Sequence, residues 1–227
     1  MRKMMFAAAL VAFSTPAWAQ ATQQAKETDP THKVAGGISV PGWMGRIDPQ
    51  AAARGMKLDD AKFSAMGKAF HVTSGPAAIY YNPKDDVKGA YTVGASFTQT
   101  KAPPHPEAYG LFIGGSNLQD TTQSYVYFLT RGDGKYIINH RAGSQVHKIV
   151  DWTDADLIKK QDESGKQSND LAIRVTPDSV AFLANGKSVK AFSKAEMHGF
   201  SADGQTGIRV NHNLDVHIAD FQVKRGK

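Results

Sequence analysis

Three groups of residues in this chain have the types and spacing for chemistry. The first is His105-Pro106-Glu107, an imidazole and a carboxylate in a loop that Pro103, Pro104 and Pro106 stiffen. At the lip of a sheet, such a pair can serve as general acid and base. The plainer reading is a polar edge loop whose prolines guard a strand end. The second group is Asn211-His212-Asn213-Leu214-Asp215-Val216-His217. As a strand, it points Val216 and Ile218 one way and Asp215 and His217 the other, the latter pair ~7 Å apart. An Asp and a His on one face can bind a divalent metal or transfer a proton. A third ligand would have to come from His212 or Asn211, and an ordinary exposed strand face competes with the site. The third group is Tyr125, Tyr127, Arg131, Tyr136 and His140. Sugar sites combine flat aromatic surface with surrounding hydrogen-bonding groups, which tyrosine and arginine on one strand pair supply. Equally, these tyrosines can form core between two sheets.

Other chemistry is absent by inspection. The glutamates are Glu27, Glu107, Glu163 and Glu196, none of them spaced as a strand-borne pair. A retaining glycosidase needs two carboxylates on one face about 5 Å apart. There is no Gly-x-Ser-x-Gly, His-Glu-x-x-His or Gly-x-x-x-x-Gly-Lys. Asp154-Ala155-Asp156 lacks the third oxygen ligand and the glycine of an EF-hand loop. No cofactor is implied, and a divalent metal is the one addition the pattern leaves open.

Two turn dipeptides reveal what must position these residues. Asp133-Gly134 lies between Tyr125–Thr130 and Lys135–His140, and Asn185-Gly186 between Ser179–Leu183 and Lys187–Val189. Both dipeptides accept positive φ at the two central turn positions and close antiparallel hairpins. A two-residue turn at Asp133-Gly134 sets Tyr127 opposite His140 and Arg131 opposite Tyr136, so that all five members of the third group share a face. At the second turn it sets Phe182 opposite Val189 and Leu183 opposite Ser188. Further strands are expected at 69–74, 77–81, 91–98, 108–114, 171–175, 206–210 and 214–223. In Leu171-Ala-Ile-Arg-Val175, alternation turns Leu171, Ile173 and Val175 inward and Arg174 outward. Short strands about ten residues apart indicate an all-β, antiparallel sandwich or barrel. Two short helices are expected: one after Asp48 as N-cap, with Pro49 first and Gly55 past its end, and one from Thr153 to Lys160.

The runs Tyr91–Phe97, Gly110–Gly115, Tyr125–Phe128, Leu171–Val175, Val180–Gly186 and Gly207–Phe221 resemble, in order, the strands of concanavalin A-like (laminin-G-like) sandwich domains. The closest look is to the bacterial 3-keto-disaccharide hydrolase-like domain family. The resemblance covers roughly residues 69–224. It implies an all-β, antiparallel two-sheet jelly-roll sandwich whose concave face binds glycans or peptides, and members that are mostly exported.

The first residues support export. Arg2 and Lys3 precede an apolar run, Phe6–Phe13, and Ala17-Trp18-Ala19 places small residues where a signal peptidase reads. Residues 1–19 are therefore expected to be a signal peptide, 20–36 a polar, flexible lead-in, and 37–227 one sandwich domain. The expected location is periplasmic or secreted. With no cysteine, the core must hold the fold without disulfides. The formal charge of +6 is scattered among carboxylates rather than gathered in a stripe, which argues against nucleic acid. No segment after the leader approaches the ~20 apolar residues of a membrane span. Three functions remain: a domain binding a glycan or small-molecule ligand, a hydrolase or lyase acting on a modified (3-keto) sugar, and a cell-envelope protein-interaction domain. In the enzyme case Glu107, His105, Asp215 and His217 supply acid and base. Oligomeric state is not legible.

Overall fold

The computed structural model describes residues 31–197 and 199–226; the signal-peptide expectation and most of the lead-in lie outside them. Among the described residues, fifteen strands form two sheets. In chain order these are β1 (Gly37–Ile38), β2 (Met44–Ile47), β3 (Lys62–Met66), β4 (Ala69–Thr73), β5 (Ala78–Val87), β6 (Tyr91–Gln99), β7 (Ala108–Ser116) and β8 (Ser124–Arg131). They continue as β9 (Lys135–Ala142), β10 (Gln145–Asp154), β11 (Gln167–Val175), β12 (Ser179–Ala184), β13 (Lys187–Ser193), β14 (Gly204–Val210) and β15 (Asp215–Arg225). An eight-stranded sheet runs β1-β3-β4-β15-β6-β11-β12-β13, and a seven-stranded sheet runs β10-β9-β8-β7-β14-β5-β2. Only the short β1–β3 pair is parallel among the described strands. The expected all-β sandwich is what forms.

The core lies between the sheets. Val93, Phe97, Leu171, Ile173, Phe182, Val216 and Ile218 face Tyr80, Tyr109, Leu111, Ile113, Val126, Phe128, Ile138 and Ile208, all with 2% or less of their surface exposed. Rings cross the gap in pairs: Phe63–Tyr80 at 4.6 Å, Phe97–Tyr109 at 5.5 Å and Phe128–Phe182 at 5.6 Å between centroids. Such pairs add to the area they remove from water. Trp43 closes one end of this core, 4.8 Å from Phe70 and 5.2 Å from both Phe63 and Phe221.

Both hairpins are present, and the details of their registers differ from expectation. Asn185 (φ 51°) and Gly186 (φ 81°) make the two-residue turn with two positive φ angles. Leu183 pairs with Ser188 as expected, after which a bulge sets Phe182 opposite Lys190 rather than Val189. At the other hairpin the loop is Gly132-Asp133-Gly134: Thr130 pairs with Tyr136, Leu129 with Ile137 and Tyr127 with Asn139. The Gly134 N–H donates to Arg131 O (3.1 Å), and only Gly134 has a positive φ (85°), the pattern of a tight turn closed by a glycine bulge. The carboxylate of Asp133 holds Arg131 Nε and Nη2 at 2.8–2.9 Å. That one added residue exchanges the faces of the whole returning strand.

The helix after Asp48 forms as α1 (Pro49–Ala53), with Pro49 in its first turn. The expected Thr153–Lys160 helix does not. Residues up to Asp154 belong to β10, an exposed edge strand with two register shifts, and Thr153 Oγ1 donates to Asp151 O rather than capping. The following segment buries Ile158 in the core. Its backbone is satisfied by asparagines: Lys159 N–H donates to Asn169 Oδ1 (2.9 Å), and Asn185 Nδ2 donates to Leu157 O (2.7 Å). Side-chain amides have replaced the helical ladder.

Turn glycines give a direct test. Gly186 has open space around its missing Cβ, so Gly186→Val should cost about 1 kcal/mol through its positive φ alone. Gly165 sits in a polar loop where the sequence reads substitution as silent. It has φ 80°, and a Cβ there would meet the backbone of Ala102. Gly165→Ala should therefore lower the denaturant midpoint at least as much as Gly186→Val, and a silent Gly165→Ala would contradict this packing.

Candidate functional site

The corrected register divides the tyrosine group. Tyr125, Tyr127 and Arg131 lie on the outer face of the seven-stranded sheet, with Ile137, Asn139 and Arg141 across from them. Tyr136 and His140 lie on the opposite face. Tyr136 meets Phe128 edge-on at 6.0 Å, with its hydroxyl toward Val189 O. His140 packs 4.1 Å from Phe200 and lies 2.8 Å from Ser124 Oγ. Burial first, and then the neighbouring His147, holds the His140 pKa below its ordinary value. The five residues do not form one surface. Arg131 is held by Asp133 and stacks 4.2 Å over the Trp152 ring. Tyr125 and Tyr127 are only 2% and 5% exposed, in a second apolar cluster with Ile79, Tyr81, Phe112, Leu118 and Leu129.

A polar network sits on this cluster. Asp48 leaves β2 as the residue before α1, and its side chain makes no capping hydrogen bond. Its carboxylate instead accepts from Arg209 Nη1 (2.7 Å) and Nη2 (2.8 Å) and from Arg141 Nη2 (2.8 Å). Arg209 also donates to Tyr125 OH (3.1 Å) and lies 4.8 Å over the Tyr127 ring. Asn139 Nδ2 donates to Tyr127 OH at 3.1 Å. Burial alone would raise the Asp48 pKa, but the charges and hydrogen bonds of Arg209 and Arg141 outweigh it and hold the carboxyl below its ordinary value. Burial raises the Tyr125 hydroxyl, an effect that Arg209 only partly offsets.

Beside this network opens a pocket of about 240 Å³ at the α1 end of the sheet, lined by Gln50, Arg54, Glu107, Arg209, Asn211 and His212 among others. Glu107 stands just before β7 and His212 just after β14. These neighbouring strands pair Val210 with Tyr109, and Asn211 N–H donates to Ala108 O (2.8 Å). The next step of that register brings His212 opposite Glu107, with Nε2 3.2 Å from Oε1 and each side chain about an eighth exposed. A carboxylate and an imidazole so placed can orient a ligand hydroxyl or pass a proton. Glu107 thus partners His212, while His105 is exposed in its loop. The β7–β14 pairing links residues far apart in sequence, and nothing local signals it.

Asp215 and His217 share the outer face of the eight-stranded sheet, apart from Glu107. His71, which the sequence reading passed over, joins them. It is opposite His217 in the β4–β15 register, with ring centroids 6.3 Å apart, and its Nε2 is 3.0 Å from Asp215 Oδ1. Thr100 Oγ1 donates to the same carboxylate. Among the described residues, no three His, Asp or Glu side chains are arranged to hold a metal ion. No helix among them is long and apolar enough to cross a membrane.

No protein-family model matches the sequence, and no curated protein does. Solved structures do match. The carbohydrate-binding module CBM66 from Bacillus subtilis is similar over 83% of this chain and 99% of its own, with TM-score 0.58 and 8% identity. The carbohydrate recognition domain of Emp46p is similar over 82% and 89%, with TM-score 0.53 and 12% identity. The family 7 alginate lyase A1-II′ in complex with product is similar over 82% and 95%, with TM-score 0.51 and 13% identity. At these identities the likeness is one of fold alone, that of a jelly-roll β-sandwich.

Proposed function

We propose that this chain is an exported glycan-binding sandwich domain, with its ligand held at the α1 end of the seven-stranded sheet. The observation that carries the reading is the pocket itself. Glu107, Asn211, His212 and Arg209 converge there on a base made rigid by the Asp48–Arg141–Arg209 network. Convergent polar groups on a rigid sheet are what sugar recognition requires. The fold is shared with a carbohydrate-binding module and a carbohydrate recognition domain, which supports the reading. Titration calorimetry with a panel of neutral and acidic oligosaccharides tests it. Binding by the native chain that His212→Ala abolishes, with melting unchanged, is the expected result. No heat from any member of the panel would remove the proposal.

A second reading is favoured by the Glu107–His212 separation of 3.2 Å, which suits acid–base chemistry on a modified sugar glycoside. Cleavage beside a 3-keto group needs only proton abstraction next to the carbonyl and a proton for the leaving oxygen. Product release from such a glycoside, lost in Glu107→Gln, is the corresponding assay.

Export belongs to the same proposal, since glycan ligands of this kind lie outside the cytoplasm. The exported protein should begin at Gln20 by intact-mass measurement. A mass retaining residues 1–19 would contradict it.

A further inference from the structure

We infer that the outer face of the eight-stranded sheet pairs with the same face of a second copy of this chain. Val93, Phe97, Leu171 and Ile173 turn into the core. By alternation, Thr92, Gly94 and Ser96 of β6 and Asp170, Ala172 and Arg174 of β11 turn outward. Gly94 pairs with Ala172 on one side and with Gln222 of β15 on the other. Two of the three residues in this central row carry nothing beyond a Cβ, so another surface can come close there.

The charges lie at opposite ends of that row. Arg174 and Lys224 flank Thr92 at one end. Asp170, opposite Ser96, marks the other end. Asp220 stands on the same side as Asp170, where a bulge between Ala219 and Gln222 and a φ of 53° turn it out of the ladder. All four are exposed and border one hollow. The Asp170 carboxylate accepts from Ser96 Oγ, and none of the four charges has an ion-pair partner among the described residues.

This arrangement is complementary to itself. A two-fold axis lying in the interface along the Gln222–Gly94–Ala172 row carries the cationic end of one copy onto the acidic end of the other. Arg174 then meets Asp170 and Lys224 meets Asp220, each contact occurring twice, as an isologous interface requires. Gln222 lies on the axis, where two amides can exchange hydrogen bonds because each has a donor and an acceptor. An axis along the strands would set Arg174 against Lys224, so the charges select one orientation. The area suffices. β6 and β11 run nine residues each and β15 eleven. With β4 and β12 beside them, at ~4.8 Å between strands and ~3.3 Å per residue, the face covers roughly 700 Å². That is close to the ~800 Å² per partner of a stable pair. Exposed ion pairs are individually weak, so the dimer is reversible and salt-sensitive. It leaves both seven-stranded sheets, with the pockets at their α1 ends, facing outward.

Sedimentation velocity of the native chain from about 1 to 300 µM should show a monomer–dimer equilibrium that weakens about tenfold from low to high salt. Arg174→Glu and Asp170→Arg should each stay monomeric where the native chain pairs, because each opposes like charges twice. Mixed one to one, the two variants should associate again. The new carboxylate of the first then faces the new guanidinium of the second, and the unchanged Asp170 faces the unchanged Arg174. Should Asp170→Arg melt early for want of the Ser96 acceptor, Lys224→Glu mixed with Asp220→Lys carries the same test. A native chain that stays monomeric throughout would overturn the inference and leave the hollow to a small ligand. A dimer indifferent to salt, or one that both variants retain, would place the contact on another surface and overturn it too. Variants that remain apart when mixed would mean that these charges do not face each other, with the same consequence.

Discussion

Asp48→Ala should destabilise the fold by about 3 kcal/mol, because it leaves two buried guanidiniums facing each other with no counter-charge. Arg141 and Arg209 side chains are each 4% exposed, so neither can turn to water without unpacking. For a chain of this size, the loss corresponds to a drop in melting temperature of about 10 °C. The effect has a pH signature. The Asp48 carboxyl lies below its ordinary pKa in the folded state, so the stability it contributes is complete above about pH 4 and is lost as pH falls through the folded value. The native chain should therefore lose more stability than Asp48→Ala on acidification below that point. Replacing both arginines by methionine in the Asp48→Ala background should recover much of the loss, since an apolar set has no charge to desolvate. Equal melting of native protein and Asp48→Ala would mean that the network contributes nothing to the fold.

Tyr127→Ala should cost more than any simple groove residue could, about 3–5 kcal/mol, because it opens a cavity beneath the polar network. The ring lies between the Arg209 guanidinium at 4.8 Å and the Tyr125 ring at 5.8 Å. Tyr127→Phe keeps the ring and loses only the hydroxyl that accepts from Asn139, which should cost about 1 kcal/mol. Thermal melts of the two variants separate packing from display. A ring presented to a ligand on open surface would give two nearly equal, small losses. A large loss for alanine alone means that the aromatic pair supports the polar network from below and is not presented to a ligand.

How much of this could be read from the sequence depends on the range of the interactions concerned. The hairpins were legible because Asn185-Gly186 and Asp133-Gly134 act within a few residues. Even so, the second loop took one residue more than its dipeptide implies, since Asp133 binds Arg131 and Gly134 alone takes the positive φ. That step moved Tyr136 and His140 away from Tyr125 and Tyr127. β10 was missed because an exposed, irregular edge strand such as Gln145–Asp154 shows no apolar alternation, and the helix expected at its end lost its backbone partners to Asn169 and Asn185. Asp48 was rightly placed at a helix start, but its carboxylate turned out to serve two arginines 93 and 161 residues away.

By itself, then, the sequence determined the antiparallel β architecture, most of its strands and which side of strands such as Leu171–Val175 is buried. Alternation and turn chemistry are local properties of the chain. Only the tertiary structure decided the site. Pairing β7 with β14 brought Glu107 to His212, and laying the start of α1 against the seven-stranded sheet brought Asp48 to Arg141 and Arg209. Those contacts arise from which strands become neighbours. That choice is made by burial of the core across the whole chain and leaves no mark at the residues it joins.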